Sequence, residues 1–324
     1  MRGMKLLLVF SAAAVLVVAA GCEDNPIRPS DELAPPTNLT MVDGTNSVTL
    51  TWDASPFEPS SRFKGYNVYV DTVSIAGVTD TTTSGFLEAR QANDTPLTGR
   101  TFAVDHLHNG NALVQGKKYY FHVRTVREDD RVSIASNEVD TSPRPEGTND
   151  TQPSTDTDLM FDYAATTTTK SGYGWDRIVG TGIAYTTAVI NQDNVDFFMM
   201  EEPNSADDGS QFISPAQAAF TATTWTVKHR TLFKDLGAGD AAWNTAVAPD
   251  TASMTQVVKV NQDHTYALRL YDGHWAKIRA LTLTKNVTVS GSSGNVQLNR
   301  LYFRWAFQLI DDYGRFKPVP DPGL

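Results

Sequence analysis

Val48-Thr49-Leu50-Thr51-Trp52 alternates apolar and hydroxyl side chains residue by residue. Successive side chains of an extended chain point to opposite faces, so Val48, Leu50 and Trp52 line one face and the threonines the other. Tyr66-Asn67-Val68-Tyr69-Val70 repeats the scheme with Tyr66, Val68 and Val70 inward. Tyr119-Tyr120-Phe121-His122-Val123-Arg124 does so again with Tyr119, Phe121 and Val123 inward. Strands with one dry and one wet face need a second layer over the dry side, so residues 34–141 are expected to form a two-sheet sandwich.

The second half of the chain reads the same way. Leu301-Tyr302-Phe303-Arg304-Trp305-Ala306-Phe307-Gln308-Leu309 puts Leu301, Phe303, Trp305, Phe307 and Leu309 on one strongly apolar strand face. The run from Tyr266 to Ile278 breaks at Asp272-Gly273, and Asp-Gly between alternating runs predicts a hairpin turn. Trp225 to Phe233 predicts a further strand with Trp225, Val227, His229 and Phe233 on one side, and residues 214–219 predict a helical turn or two. The fold class is therefore all-β, with an antiparallel domain over residues 159–318 following the first sandwich. Residues 142–158 (SPRPEGTNDTQPSTDTD) have the composition of a linker, residues 22–33 that of a flexible tether, and residues 319–324 form a short tail.

Combined, the motifs of the first domain resemble the fibronectin type III family, an immunoglobulin-like β-sandwich. Pro35-Pro36-x-x-Leu39 corresponds to its first strand, Val48-x-Leu50-x-Trp52 to the strand with the core tryptophan, and Tyr66-x-Val68-Tyr69 to the next. Leu113 with Tyr119-x-Phe121-x-Val123 corresponds to the tyrosine-corner region, and residues 133–139 to the last strand. Residues 71–101 are longer than the family's usual connection and predict an extended loop or an extra hairpin. The resemblance implies a spacer or protein-binding module, and fold alone does not choose between them.

Arg2 and Lys5, the apolar run of residues 6–20 and Ala20-Gly21 before Cys22 describe an export signal over residues 1–21. The run is shorter than the ~20 residues a membrane-spanning helix needs. Val18-Ala19-Ala20-Gly21-Cys22 resembles the bacterial lipobox, with Ala19 where that motif prefers Leu. The resemblance implies that Cys22 is acylated and ties the protein to the cell envelope, at the outer membrane or cell surface; an ordinary cleaved signal is the alternative. Cys22 is the only cysteine, so a mature chain whose Cys22 is lipidated forms no internal disulfide and its domains rest on packed cores. Removing Arg2 and Lys5 takes the net charge from -10 to -12, which disfavours nucleic acid as a partner.

Tyr266-x-x-Arg269-x-x-Asp272-Gly273-x-x-Ala276-Lys277-Ile278, followed by Phe303-x-Trp305-x-Phe307-Gln308, resembles the C-terminal part of the HmuY-like lipoprotein family. Gly174-Trp175-Asp176 and Ala242-Trp243 are similar to its earlier landmarks. Membership would imply an all-β, membrane-anchored domain, and some members hold haem between axial histidines or methionines. His229 and Met254 are the haem-ligand candidates here, with packing roles as the alternative.

His106 and His108 share a strand-spaced face without a third ligand, so no metal site is expected there. The acidic stretch Glu201-Glu202 to Asp207-Asp208-Gly209 offers carboxylates to calcium but lacks the alternating register of a ligand loop. Trp275, beside the turn, is the candidate for stacking on a glycan or other flat ligand. The sequence carries no Gly-x-Ser-x-Gly, His-Glu-x-x-His or phosphate-cradling glycine motif, so no catalytic residue is assigned. The expectation is a non-catalytic envelope lipoprotein that binds a protein or small molecule. Haem capture, glycan binding and a structural envelope role are the alternatives.

Overall fold

The computed structural model describes residues 33–75, 85–149, 159–203 and 208–314. The export signal, Cys22, nearly all of the tether and the tail at 319–324 lie outside them.

The first domain is a sandwich of two three-stranded antiparallel sheets. Strands β1 (Thr37–Asp43), β2 (Val48–Asp53), β3 (Phe63–Asp71), β4 (Thr101–Val104), β5 (Tyr119–Arg127) and β6 (Val139–Thr141) assemble as β1-β2-β4 and β3-β5-β6. Val48, Leu50 and Trp52 are buried between the sheets with Tyr66, Val68, Val70, Tyr119, Phe121 and Val123, and Thr49 and Thr51 face solvent. The tyrosine corner is present, since the Tyr119 hydroxyl accepts the Val114 N–H at 2.9 Å.

Alternation fails on the far side of β3 and β5, where Asn67, Tyr69, His122 and Arg124 are buried as well. Part of the long connection between β3 and β4 folds back along β3. Tyr66 and Leu97 exchange backbone bonds of 2.8 and 2.9 Å, Ala92 N–H donates to Val68 O, and Val68 N–H donates to Asn93 Oδ1 at 2.7 Å. The connection therefore acts as an irregular extra edge strand, and Gln91 accepts from the Asn67 amide at 3.0 Å. Arg124 donates to His122 Nε2 at 3.2 Å and to Ser133 O at 2.8 Å, so this second layer is polar and internally bonded.

The second domain packs two larger sheets face to face. Its strands are β7 (Glu146–Thr148), β8 (Met160–Phe161), β9 (Gly172–Trp175), β10 (Gly182–Tyr185), β11 (Phe197–Glu201), β12 (Ser210–Ile213), β13 (Leu232–Ala238), β14 (Val257–Val260), β15 (His264–Arg269), β16 (Trp275–Gly291) and β17 (Gly294–Gln308). One sheet runs β10-β9-β11-β12-β14, the other β13-β15-β16-β17-β7, with β8 also on β17. Leu301, Phe303, Trp305 and Phe307 project from β17 onto Tyr173, Trp175, Phe197 and Phe212 of the facing sheet. Trp175 stacks on Phe307 with ring centroids 5.6 Å apart. The expected hairpin joins β15 to β16, with Gly273 at φ +99°, a conformation that costs glycine little.

Two expectations need correction. Residues 225–231 are not a strand, since β13 begins at Leu232. Their backbone is held by side chains instead: Gln192 Oε1 accepts from Thr226 and Val227 N–H, and the Ser214 hydroxyl donates to His229 O. Trp225 consequently packs with Val195, Phe198 and Ile213, away from the cluster that holds Phe233.

The first half of the stretch read as a linker is also built in, because β7 pairs with β17 and Arg144 is buried. A Cβ on Gly147 would lie 2.7 Å from the Trp305 ring, so this close approach requires glycine. Asn149 completes the ladder, donating to Leu301 O and accepting from Phe303 N–H. Residues 150–158 are outside the described residues. Among the described residues no helix is long and apolar enough to cross a membrane.

Candidate functional site

Two landmarks noted in the sequence meet at one end of the second sandwich. Asp176 closes the β9–β10 turn by accepting the N–H groups of Ile178 and Val179 at 2.7 and 2.9 Å. The next residue, Arg177, donates to both Asp196 oxygens at 2.7 and 2.9 Å and to Asp272 of the hairpin turn at 2.5 Å. Its guanidinium lies 5.6 Å from the ring centroids of both Tyr271 and Phe307.

Burial pushes the Asp272 carboxyl up, but bonding to His274 and Arg177 outweighs it and holds the group well below the usual carboxylate range. At fully enclosed Asp196 burial wins, and the carboxyl is shifted upward despite Arg177. The knot joins the two sheets, and each of its carboxylates is bonded within the protein. Its chemistry is structural.

The motif lysine is structural too. Lys277 is buried, donates to Trp243 O at 3.0 Å and sits 4.1 Å from the Trp243 ring centroid. Burial and the neighbouring Arg144 guanidinium push its ammonium pKa down.

The haem-ligand candidates do not converge. His229 lies flat on Tyr271, ring centroids 3.6 Å apart, with Nδ1 3.2 Å from Val195 O. Met254 packs with Ala246, Ala267 and Trp275 and borders an open cleft of about 380 Å³ that includes no histidine. His264 is bonded to Asp235, His274 is paired with Asp272, and Met199 is core. These side chains do not fit paired axial ligation of an iron.

Trp275 requires correction, because it is only 6% exposed and an Arg269 guanidinium covers its ring at 5.2 Å. Its position on β16, one residue past the turn, turns the ring onto Met254 and Ala267. All six tryptophans are buried, so none presents an open stacking face. His106 and His108 are exposed and engage Asp105 and Gln91 O respectively.

Two further recesses lie among the described residues. The larger, about 460 Å³, lies between the β3–β4 connection and the outer face of the first domain, lined by Lys64, Asn67, Tyr69, Glu88, Gln91 and Asp130 among others. The smaller, about 220 Å³, is strongly polar and is lined by Asp162, Tyr163, Glu201, Asp208, Asn286, Gln297, Leu298 and Asn299.

Asp162 forms the buried part of that smaller recess. Its Oδ2 accepts the Ser210 hydroxyl at 3.0 Å, whereas its buried Oδ1 has no hydrogen-bond partner among the described residues. Burial, reinforced by the charge of Glu201, pushes the Asp162 carboxyl up to about 7. Asn299 fixes the surroundings by donating to Ser210 Oγ at 3.0 Å and Asp208 O at 2.6 Å, while its own oxygen accepts Asn286 N–H. The acidic stretch was visible in the sequence, but Asp162 was not, because nothing local marks a residue brought there by β8 pairing with β17.

With the geometry established, comparison with known proteins adds one firm point. A family model for the fibronectin type III domain matches residues 34–139. No curated protein matches the chain. Among solved structures, a chain described as "Myokine structure" is 20% identical, with 35% of this chain and 100% of that one covered and a TM-score of 0.25. A pectate lyase from Pectobacterium carotovorum is 19% identical over 34% of this chain and 27% of its own, at a TM-score of 0.22. An alpha-L-rhamnosidase from Dictyoglumus thermophilum is 9% identical over 89% of this chain and 27% of its own, at 0.29. The chain thus spans about a quarter of each enzyme, and similarity this low carries no argument about activity.

Proposed function

We propose that residues 34–141, which contain the fibronectin type III domain, serve as a rigid stem that holds the C-terminal sandwich at a fixed angle, and that the protein binds its ligand without transforming it. The observation that carries this reading is the construction of residues 142–149. Arg144 donates to Asp43 of the first domain and pairs with Glu146 at 3.2 Å, while β7 extends the second domain's sheet. Tyr313 reaches back to Asp140 at 2.7 Å, and Gly116 N–H donates to Pro143 O at 3.2 Å. A joint with a buried ion pair, backbone bonds to the first domain and a strand built into the second supports a spacer that sets orientation, where a flexible connection would not.

The stem in turn hangs from the envelope by lipid on Cys22, a reading that rests on the residues before that cysteine. Kinship of the second domain with HmuY-like lipoproteins rests on its hairpin and closing-strand residues, and the packing of His229 on Tyr271 and of Met254 with Trp275 favours reading that kinship without haem. Metabolic labelling with a clickable fatty acid tests the anchor. Incorporation into the wild type and its loss in Cys22→Ser supports it; an unlabelled, freely released wild-type chain overturns it.

A further inference from the structure

We infer that β10, the free edge of its sheet, is the surface through which two copies of this chain pair, antiparallel about a twofold axis that passes through Ile183.

β10 ends the sheet β10-β9-β11-β12-β14. Asp176 N–H donates to Thr181 O at 2.9 Å, and the ladder with β9 continues without a register shift. Alternation along an antiparallel strand then turns the backbone N–H and C=O of Ile183 toward β9 and those of Gly182 and Ala184 outward. Among the described residues no hydrogen bond reaches those outward groups. Natural sheet edges carry charges, prolines or bulges that discourage pairing, and Gly182-Ile183-Ala184-Tyr185 has none of them.

The surroundings of the strand match a second copy. Five of the eleven exposed large hydrophobic side chains among the described residues are Ile178, Val179, Ile183, Val189 and Ile190, with Ile178 86% and Ile190 83% exposed. Ile178 and Val179 sit in the β9–β10 turn before the strand, and Val189 and Ile190 follow it. Antiparallel pairing about a twofold brings the start of one strand to the end of the other, so each aliphatic pair meets the opposite pair of the second copy. Gly182 and Ala184 exchange both backbone bonds with Ala184 and Gly182 of that copy, and the two Ile183 side chains meet at the axis. Together the five residues expose roughly 600 Å² per copy, the top of the range for a monomer's largest apolar patch and most of the ~800 Å² that each side of a stable interface buries. Charge points the same way. The net charge of -10 makes the chain repel its own kind, but residues 178–192 contain no charged side chain. The inference is independent of the lipid anchor and of the stem reading.

The test is analytical sedimentation of the full mature chain carrying Cys22→Ser, a background without any thiol. A reversible monomer–dimer equilibrium in the micromolar range is expected. Ile183→Lys sets two like charges against each other at the axis and should weaken association about tenfold or more. Val247→Lys, at an exposed aliphatic outside the segment, should leave it unchanged. Mild oxidation of Ile183→Cys in the same background should give a disulfide-linked dimer. Facing residues of a non-hydrogen-bonded antiparallel pair stand ~4.5 Å apart at Cα, within reach of a disulfide. A chain that stays monomeric at every concentration and does not cross-link overturns the proposal. So does a dimer indifferent to Ile183→Lys, and so does a cross-link from Ile183→Cys that forms in cells only to a different protein.

Discussion

Arg144 and Asp43 form an ion pair at the joint between the domains, with their side chains 1% and 0% exposed. Arg144 follows the last strand of the first sandwich, and Asp43 ends its first strand, so the pair closes that domain's end beneath the second. Breaking a buried pair from one side leaves an uncompensated charge, at a cost of about 3–5 kcal/mol. Arg144→Ala should lower stability by that amount in chemical denaturation. Adding Asp43→Ala should recover part of the loss, and the double-mutant cycle measures how much.

Tyr119→Phe removes the hydroxyl that accepts Val114 N–H at 2.9 Å while leaving the ring in place. The first domain should lose about 1 kcal/mol, the typical net worth of such a bond. Its core fluorescence from Trp52 should be unchanged in the native state.

Arg177→Met should prove far worse than an ordinary surface substitution. Asp196 is 1% exposed, and without the guanidinium it must either carry an uncompensated buried charge or take up a proton, so destabilisation of about 3 kcal/mol or more is expected. The companion substitution Asp196→Asn should rescue part of it. Equal stability of Arg177→Met and wild type in urea would contradict the knot's role.

Acid should weaken the first domain through His122. Burial, followed by the charge of Arg124, lowers its pKa to about 3 from the ordinary 6.5. The unfolded chain therefore takes up a proton near pH 6.5 that the folded domain refuses until about pH 3. Stability is full above the unfolded value and declines as pH falls through this window. His122→Phe should flatten that part of the stability–pH curve. Tyr69 and Arg124 are the titratable groups packed against the ring, and neither titrates within the window.

Haem added to the full mature chain should give no spectral change that depends on His229 or Met254. His229 is committed to Tyr271 and the Val195 carbonyl, and Met254 to the Trp275 cluster. A Soret shift lost in both His229→Ala and Met254→Ala would contradict this placement.

Much of the fold was legible where strands alternate between a dry and a wet face. Val48, Leu50 and Trp52, the run from Leu301 to Phe307 and the Asp272-Gly273 turn all occupy the places their pattern implies. Legibility ended where distant segments supply the second layer. Asn67 and Arg124 look solvent-facing in sequence and are buried because residues 91–97 and Ser133 close over them. Residues 225–231 have strand-like spacing, but their hydrogen bonds go to Gln192 and Ser214. Ser142 to Asn149 has a linker's composition, and only the partner surfaces of Asp43 and Trp305 reveal its ordered course. The polar recess was half visible, as an acidic stretch. Its buried member, Asp162, comes from 39 or more positions away in the chain and is placed by the β8–β17 ladder.

The stem account stands or falls on whether the two sandwiches keep one orientation. Residual dipolar couplings measured for both domains of the mature chain in weakly aligned solution address this directly. The account predicts that one alignment tensor fits both sets, and that Arg144→Ala splits it. Two distinct tensors in the wild type, with the domains averaging independently, would contradict it.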